Sequence, residues 1–292
     1  MPARDIALAV FIQVLWGPIY TLCKPALSWF PPLIMVAIVY IVVAALFTPF
    51  MPRPKTPART LILMSLFGGA LQTSMVFVAL TYLPASTAVL VMQLQLPVAV
   101  VASWFIGRDK PSVKNSIGSL VCLAGVAIVV GMPEATDAWY GILAMLIGVV
   151  SWSVVQAMIP VIAKDQGMTL YTAMARYAAP QMIVAALVLE HDRLPELATV
   201  PVTGWLAVIG ISLFGFALPY AIWYWLLMRH RVDELTPFLL LMPVFGVAVA
   251  ALQLNEPLPP SLLLGGLVVI LGLGLIVFPR RVPAGAEIPP PA

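Results

Sequence analysis

Residues 93–125 read QLQLPVAVVASWFIGRDKPSVKNSIGSLVCLAG, and residues 239–272 read LLLMPVFGVAVAALQLNEPLPPSLLLGGLVVILG. In the first stretch Pro97 precedes Gly118 by 21 residues and Gly125 by 28; in the second Pro243 precedes Gly265 by 22 and Gly272 by 29. Each proline lies in an apolar run and each glycine pair in the next, with a short polar break between. Trp16, near the start of the chain, answers Trp152, near the start of its second half. The chain is thus written twice, with five apolar runs per copy. An odd number of membrane spans per copy forces the copies into opposite orientations across a bilayer, the arrangement many secondary transporters use for alternating access.

Composition requires the bilayer. Of 292 residues, 62% are hydrophobic and 9% charged, and the mean hydropathy is +1.04. A soluble fold must cover its core with polar surface; here most 20-residue windows are apolar all round, as lipid-embedded helices are. The net charge of +3 comes from loop residues, so it speaks of membrane orientation and not of nucleic acid. Cys23 and Cys122 both fall in apolar runs, which argues against a disulfide framework. The first run is as long as a true span and lacks a small-residue cleavage site, so it reads as an uncleaved helix.

The runs predict ten spans: 5–24, 31–50, 60–82, 86–106, 113–131, 138–160, 169–189, 203–228, 234–253 and 260–278. These divide the chain into a first repeat over 1–132, a second over 133–279 and a Pro/Ala-rich disordered tail over 280–292. Twelve of the fifteen basic residues collect on one side: Arg4, Arg53, Lys55, Arg59, Arg108, Lys110, Lys114, Lys164, Arg229, Arg231, Arg280 and Arg281. Glu134, Asp137, Glu190, Asp192, Glu196 and Glu256 lie on the other. By the positive-inside rule both termini are cytoplasmic, in a multi-pass protein of the cell membrane, for bacteria the inner one.

Pro18, Pro97, Pro160, Pro180, Pro219, Pro237 and Pro243 fall inside spans. An interior proline frees the carbonyl four residues earlier, which neighbours or a water-filled cavity must satisfy in hydrocarbon. These prolines either kink their helices or, at Gly17-Pro18 and the Pro97/Pro243 pair, shape hinges around a cavity. The small residues of the fifth and tenth spans, Gly118, Gly125 and Gly131 with Gly265, Gly266, Gly272 and Gly274, permit close backbone approach. Those spans read as structural partners.

Taken in order, these residues resemble the drug/metabolite transporter superfamily in its ten-helix EamA-type form. The carriers are Leu15-Trp16-Gly17 followed by Lys24, the stretch from Ala79 to Ala88, Pro97 with the turn Gly107-Arg108-Asp109, and Gly118 with Gly125. The second copy adds Ala175-Arg176-Tyr177, Pro243, the turn Asn255-Glu256-Pro257, Gly265 and Gly272. The chain departs from the family at Pro18-Ile19, where an Asn often stands, and at Val39-Tyr40, where an Arg-aromatic pair is expected. The resemblance implies an all-α membrane protein of ten helices, arranged as two inverted five-helix repeats around a central cavity. The first four helices of each repeat would line the cavity and the fifth and tenth would brace it. It further implies export of amino acids, including aromatic ones, or of other metabolites.

Polar and aromatic residues inside spans mark the candidate site: Trp16, Tyr20, Gln72, Gln93, Trp152, Gln156, Arg176, Tyr177 and Tyr220. Trp16 and Tyr20 share one helix face, as do Trp152 and Gln156, and the two faces are expected to meet across the cavity. Gly17, Pro18, Lys24, Pro97 and Pro243 are the expected hinge and gate residues. Tyr82, Trp104 and Trp225 read as interface anchors. No carboxylate is placed at mid-depth, which suits a neutral or zwitterionic solute better than a lipophilic cation. Multidrug, sugar or nucleotide-type transport stays open as an alternative. An intramembrane enzyme or a channel is remote: His191 and His230 fall on opposite sides, and neither a nucleophile elbow nor a filter motif is present. The partners expected are a small-molecule substrate and the lipid bilayer, with no cofactor, metal or nucleic acid.

Overall fold

Prolines punctuate the helices. In the computed structural model residues 1–106, 112–131, 136–230 and 232–277 are described. They form α1 (Ala3–Ala26), α2 (Pro32–Phe50), α3 (Ala58–Tyr82), α4 (Ala85–Phe105), α5 (Val113–Val130), α6 (Asp137–Ile162), α7 (Gly167–Leu189), α8 (Val202–Leu227), α9 (Pro237–Gln253) and α10 (Pro260–Val277). Pro57, Pro84 and Pro201 immediately precede α3, α4 and α8, where extended proline backbone delivers the chain into the first turn. Nine of the helices are long and apolar enough to cross a membrane, and α9 is shorter. Pro237 falls in the opening 3₁₀ stretch Thr236–Leu240, which delays regular helix until Leu241. The turn Gly107-Arg108-Asp109, Lys110, Glu134, Arg231 and the segment from residue 278 onward lie outside the described residues.

The repeats are visible in the packing. α3 packs on α6 as α8 packs on α1; α4 packs on α6 as α9 on α1; α3 packs on α7 as α8 on α2. α2 meets α7, α4 meets α9, and α5 meets α10 in the most extensive contact of all. Adding five to each helix number therefore maps these contacts onto one another.

The α5–α10 seam also fixes the relative direction of the repeats. A Cβ added to Gly118 would lie 2.8 Å from the Gly272 carbonyl oxygen, and one on Gly272 would lie 2.8 Å from that of Gly118. Gly125 faces the Gly265 carbonyl oxygen at 2.8 Å and Gly265 faces that of Gly125 at 2.7 Å. As one number rises the other falls, so the helices run antiparallel and the copies are inverted. Of the other glycines in these two spans, Gly131 ends α5 with φ 57°, and Gly266 faces Leu90 of α4.

Two helices carry a wide π-helical turn, over Leu66–Leu71 in α3 and Ile211–Ala217 in α8. The underlying sequences are Ser65-Leu66-Phe67-Gly68-Gly69-Ala70-Leu71 and Ser212-Leu213-Phe214-Gly215-Phe216-Ala217-Leu218, which differ at one position. Each bulge receives a β-branched side chain from the first helix of the other repeat: Val155 against Gly68, and Ile19 against Gly215. Val155 and Ile19 each stand three residues after the paired tryptophans, Trp152 and Trp16. Such turns occur mostly at functional places in helices.

Gly272→Ala and Gly118→Ala drive a methyl into backbone atoms that cannot retreat, so each is expected to destabilise by about 1–3 kcal/mol, as overpacking does. Gly210→Ala meets open space and gains helix propensity, a change of up to about 1 kcal/mol in the stabilising direction. Melting temperatures of the purified variants in one detergent check both.

Candidate substrate site

Aromatic side chains from both repeats meet just beyond the wide turn of α8. Tyr220 and Tyr224 are one helical turn apart and share a face, with ring centroids 6.1 Å apart. Tyr171 of α7 stacks on Tyr220 at 4.3 Å. Trp16 of α1 meets Tyr220 edge-on at 5.1 Å and Trp223 at 5.8 Å. Each such pair contributes about 0.5–1.5 kcal/mol beyond its buried area. The Tyr171 hydroxyl is buried with no hydrogen-bond partner among the described residues, a polar group set among stacked rings.

A polar relay lies on α2 and α3, in the first repeat. The Tyr40 hydroxyl is 2.8 Å from that of Thr73, which donates to Gln72 Oε1 at 3.0 Å. Thr73 has one proton to give, so Tyr40 is the donor in the first bond. Tyr20, one turn past Trp16, is buried in the main core along with Tyr40. Gln93 is buried at the break in α4, its amide donating to the Val89 carbonyl at 3.2 Å.

Several of the residues expected as hinges fall at or just after irregular helix segments. α1 is interrupted between Trp16 and Ile19, and Gly17 there packs closely on Met242 and Gly246 of α9. α4 is interrupted at Gln93 and Leu94. The Gln93 carbonyl, released by Pro97, accepts from Leu96 N at 3.3 Å. Pro243 follows the 3₁₀ stretch of α9 in the matching place. Pro160 and Pro180 lie within continuous helix.

Other expected site residues stand apart from the aromatic cluster. Trp152 has no ring partner among the described residues, and Gln156 is exposed on α6. Tyr177 packs on a satellite cluster with Leu61, Met64 and Met174. Arg176 is exposed on α7. The structure thus brings together Trp16 and Tyr220, buries Tyr20, and joins Gln72 to Tyr40 and Thr73; it does not bring Trp152, Gln156, Arg176 or Tyr177 to them. A cavity of about 830 Å³ opens between α3 and α6, lined by Leu63, Phe67, Val150, Val154 and other apolar side chains. None of the expected site residues lines it.

The end of the bundle away from Arg53, Lys55 and Lys164 is latched. Asn255, with φ 51°, turns the chain after α9 in the left-handed conformation Asn tolerates. The following Glu256 caps α4: Oε1 accepts from Ala85 N at 2.7 Å, and Oε2 accepts from Ser86 N at 3.0 Å and Ser86 Oγ at 2.6 Å. Lys24, at the end of α1, donates to the Leu83 carbonyl at 2.7 Å and lies 3.7 Å from Glu256. Glu190 after α7 likewise caps α2 at Leu33 N and Ile34 N. At the opposite end, Asp165 accepts from Lys55 N and Thr56 N, and His230 meets Asp5 at 2.6 Å. Trp225 is flanked there by Arg229 at 3.9 Å and Arg4 at 5.7 Å, while Tyr82 and Trp104 are exposed near helix ends.

A ten-helix bundle of two inverted repeats, with its helix breaks buried around aromatic and amide side chains, is a membrane-transporter architecture. The chain belongs to the EamA-like transporter family, whose sequence model matches residues 4–131 and 139–278. It is 27% identical over 290 residues to a probable amino-acid metabolite efflux pump of Escherichia coli K12, covering 96% of this chain and 97% of that one. A protein of the same description from Salmonella typhimurium is 27% identical over 297 residues, covering 99% of each. A probable terminal-alkyne amino-acid exporter of Streptantibioticus cattleyicolor is 29% identical over 201 residues, covering 67% and 65%. A crystal structure superposes with a TM-score of 0.65 at 18% identity, covering 94% of this chain and 96% of the other, a likeness of fold.

Burial opposes ionisation of Glu256, but the Ser86 and Ala85 donors and the Lys24 charge outweigh it, holding the carboxyl below its ordinary 4.5. A depressed carboxyl contributes its stability in full above the ordinary value and loses it as pH falls through the lowered one. The melting temperature is therefore expected to carry no Glu256 contribution to its pH dependence between pH 8 and 5, and to acquire one only below 4.5. Glu256→Ala lowers melting at pH 7 by the equivalent of about 0.5–2 kcal/mol, as cap loss does, and removes part of the acid limb. Thermal scans of both proteins across pH measure this.

Proposed function

We propose that this protein exports small metabolites, amino acids foremost, by alternating access of its two repeats, 1–132 and 133–279, in a cell membrane with both termini cytoplasmic. The observation that carries the reading is the aromatic cluster built from both repeats, Trp16 on one side and Tyr171, Tyr220, Trp223 and Tyr224 on the other. Relative movement of the halves must remake these contacts. An opened cluster would offer aromatic faces, the Tyr171 hydroxyl and the nearby Gln72–Thr73–Tyr40 relay to a zwitterion. The breaks at Gly17-Pro18, Gln93 and Pro243 supply compliant points beside it, and the Lys24–Glu256 latch closes one end. The exporter descriptions carried by the E. coli and S. cattleyicolor relatives support the substrate class, and the basic connections support the orientation.

A second reading, a bulkier lipophilic cargo, is favoured by the apolar cavity between α3 and α6. Counterflow in liposomes separates the two. Labelled amino acids are expected to exchange through the wild type, with Trp16→Ala and Tyr220→Ala each slowing exchange at least about fivefold. That is the factor expected when roughly 1 kcal/mol of ring contact is lost. Trp104→Ala, an exposed change, leaves the rate within twofold. Exchange of none of the amino acids, with hydrophobic compounds moving instead, would transfer the assignment to the second reading.

A further inference from the structure

Outside the aromatic core, a small polar cleft opens where the end of α2 meets the first turns of α7. Thr48, Pro52 and Pro54 line it from one side, and Thr169, Thr172 and Arg176 from the other. Thr172 is 2% exposed, yet its hydroxyl has no hydrogen-bond partner among the described residues, and neither has that of Thr48. Buried polar groups are ordinarily satisfied, so two orphan hydroxyls in one cleft point to a missing oxygen or nitrogen. The cleft encloses about 10 Å³, room for one oxygen atom and not for a metabolite.

Arg176 supplies the charge. It makes no ion pair or hydrogen bond among the described residues, although it lies within a span, where an ionisable side chain is ordinarily paired. Helix side chains lean toward the N-terminus of their helix, so Arg176 leans back over Thr172 and Thr169. Asp165, the acid of the adjoining α6–α7 connection, is already engaged by the backbone of Lys55 and Thr56. Along α7, Arg176 continues an exposed stripe through Pro180, Ile183, Val184 and Leu187. Those apolar neighbours face hydrocarbon, which places the guanidinium where that lipid-facing surface reaches the headgroup layer. Arg53 and Lys55, exposed on the α2–α3 connection, add positive charge beside it.

We propose that Arg176, with the hydroxyls of Thr172 and Thr48, binds the phosphate of an anionic phospholipid headgroup in the leaflet at the basic end of the bundle. One phosphate oxygen enters the cleft, and the acyl chains lie along the exposed stripe of α7. The site is separate from the aromatic cluster, and its test does not depend on transport.

The full-length protein, purified in a mild detergent, is titrated with dioleoyl phosphatidylglycerol, dioleoyl phosphatidylcholine or inorganic phosphate. Melting temperature and lipid retained by native mass spectrometry are read together. Phosphatidylglycerol is expected to raise the melting temperature by several degrees and to be retained, and phosphatidylcholine to do less of both. Arg176→Gln and Thr172→Val should each at least halve the shift and the retention, with Arg176→Lys keeping part of both. If Arg176→Gln fails to fold, the near-isosteric Thr172→Val carries the comparison. Equal lipid retention in the wild type and the folded variants overturns the proposal, as does no retention by the wild type. An Arg176-dependent shift of the same size with inorganic phosphate also overturns it, because the site would then serve a soluble anion.

Discussion

Every peptide group inside hydrocarbon must find its partner within the protein, and the other features of this bundle follow from that constraint. An unbroken helix meets it alone and can face lipid. A broken or widened one leaves backbone groups it cannot pair itself, so the breaks of α1 and α4 and the wide turns of α3 and α8 all have buried residues: Gly17 and Pro18, Gln93 and Leu94, Gly68 to Ala70, Gly215 and Ala217. The irregular backbone is thereby drawn to the middle of the bundle. The continuous helices α5 and α10 are left to the edge, where they grip each other through glycines. The protein keeps its irregular backbone where it can be shielded.

The two halves share a scaffold and diverge in what fills it. The wide turns of α3 and α8 seat Val155 and Ile19 in the same way, so the crossing of third helix on first helix is symmetric. Directly after the repeated motif the symmetry fails: α3 continues with Gln72 and Thr73, and α8 with Pro219 and Tyr220. The amide and hydroxyl of one copy thus stand opposite the aromatics of the other. A zwitterion with an apolar side chain presents the same division of polar and apolar parts.

Spans, duplication and the glycine partnership of α5 and α10 were legible in the sequence, because each depends on composition or on spacing along one helix. Rotation about the helix axis was not. An amphipathic helix announces its buried face, but α6 and α7 are apolar nearly all round, so nothing in the local pattern says which way Trp152, Gln156 or Arg176 points. Those are the residues the structure leaves outside the cluster. Tyr171, four residues into α7, resembles any residue of a span entrance. The repeated Ser-Leu-Phe-Gly-x-Ala-Leu stands in the sequence outside the proline and glycine intervals that mark the duplication. Neither half of that motif contains a proline, and the irregular turn it encodes widens the helix without breaking it.

The α5–α10 seam carries an evolutionary consequence. Gly118 meets Gly272 as Gly272 meets Gly118, and the same holds for Gly125 and Gly265. A contact that reads identically from either side is one that two copies of a single five-helix ancestor, inserted both ways round in the membrane, would form between themselves. Joining two such copies requires no new interface, only a connection from α5 to α6. Copies joined in one chain can differ, as two products of one sequence cannot, and residues such as Arg176 and Tyr220 stand on one side alone.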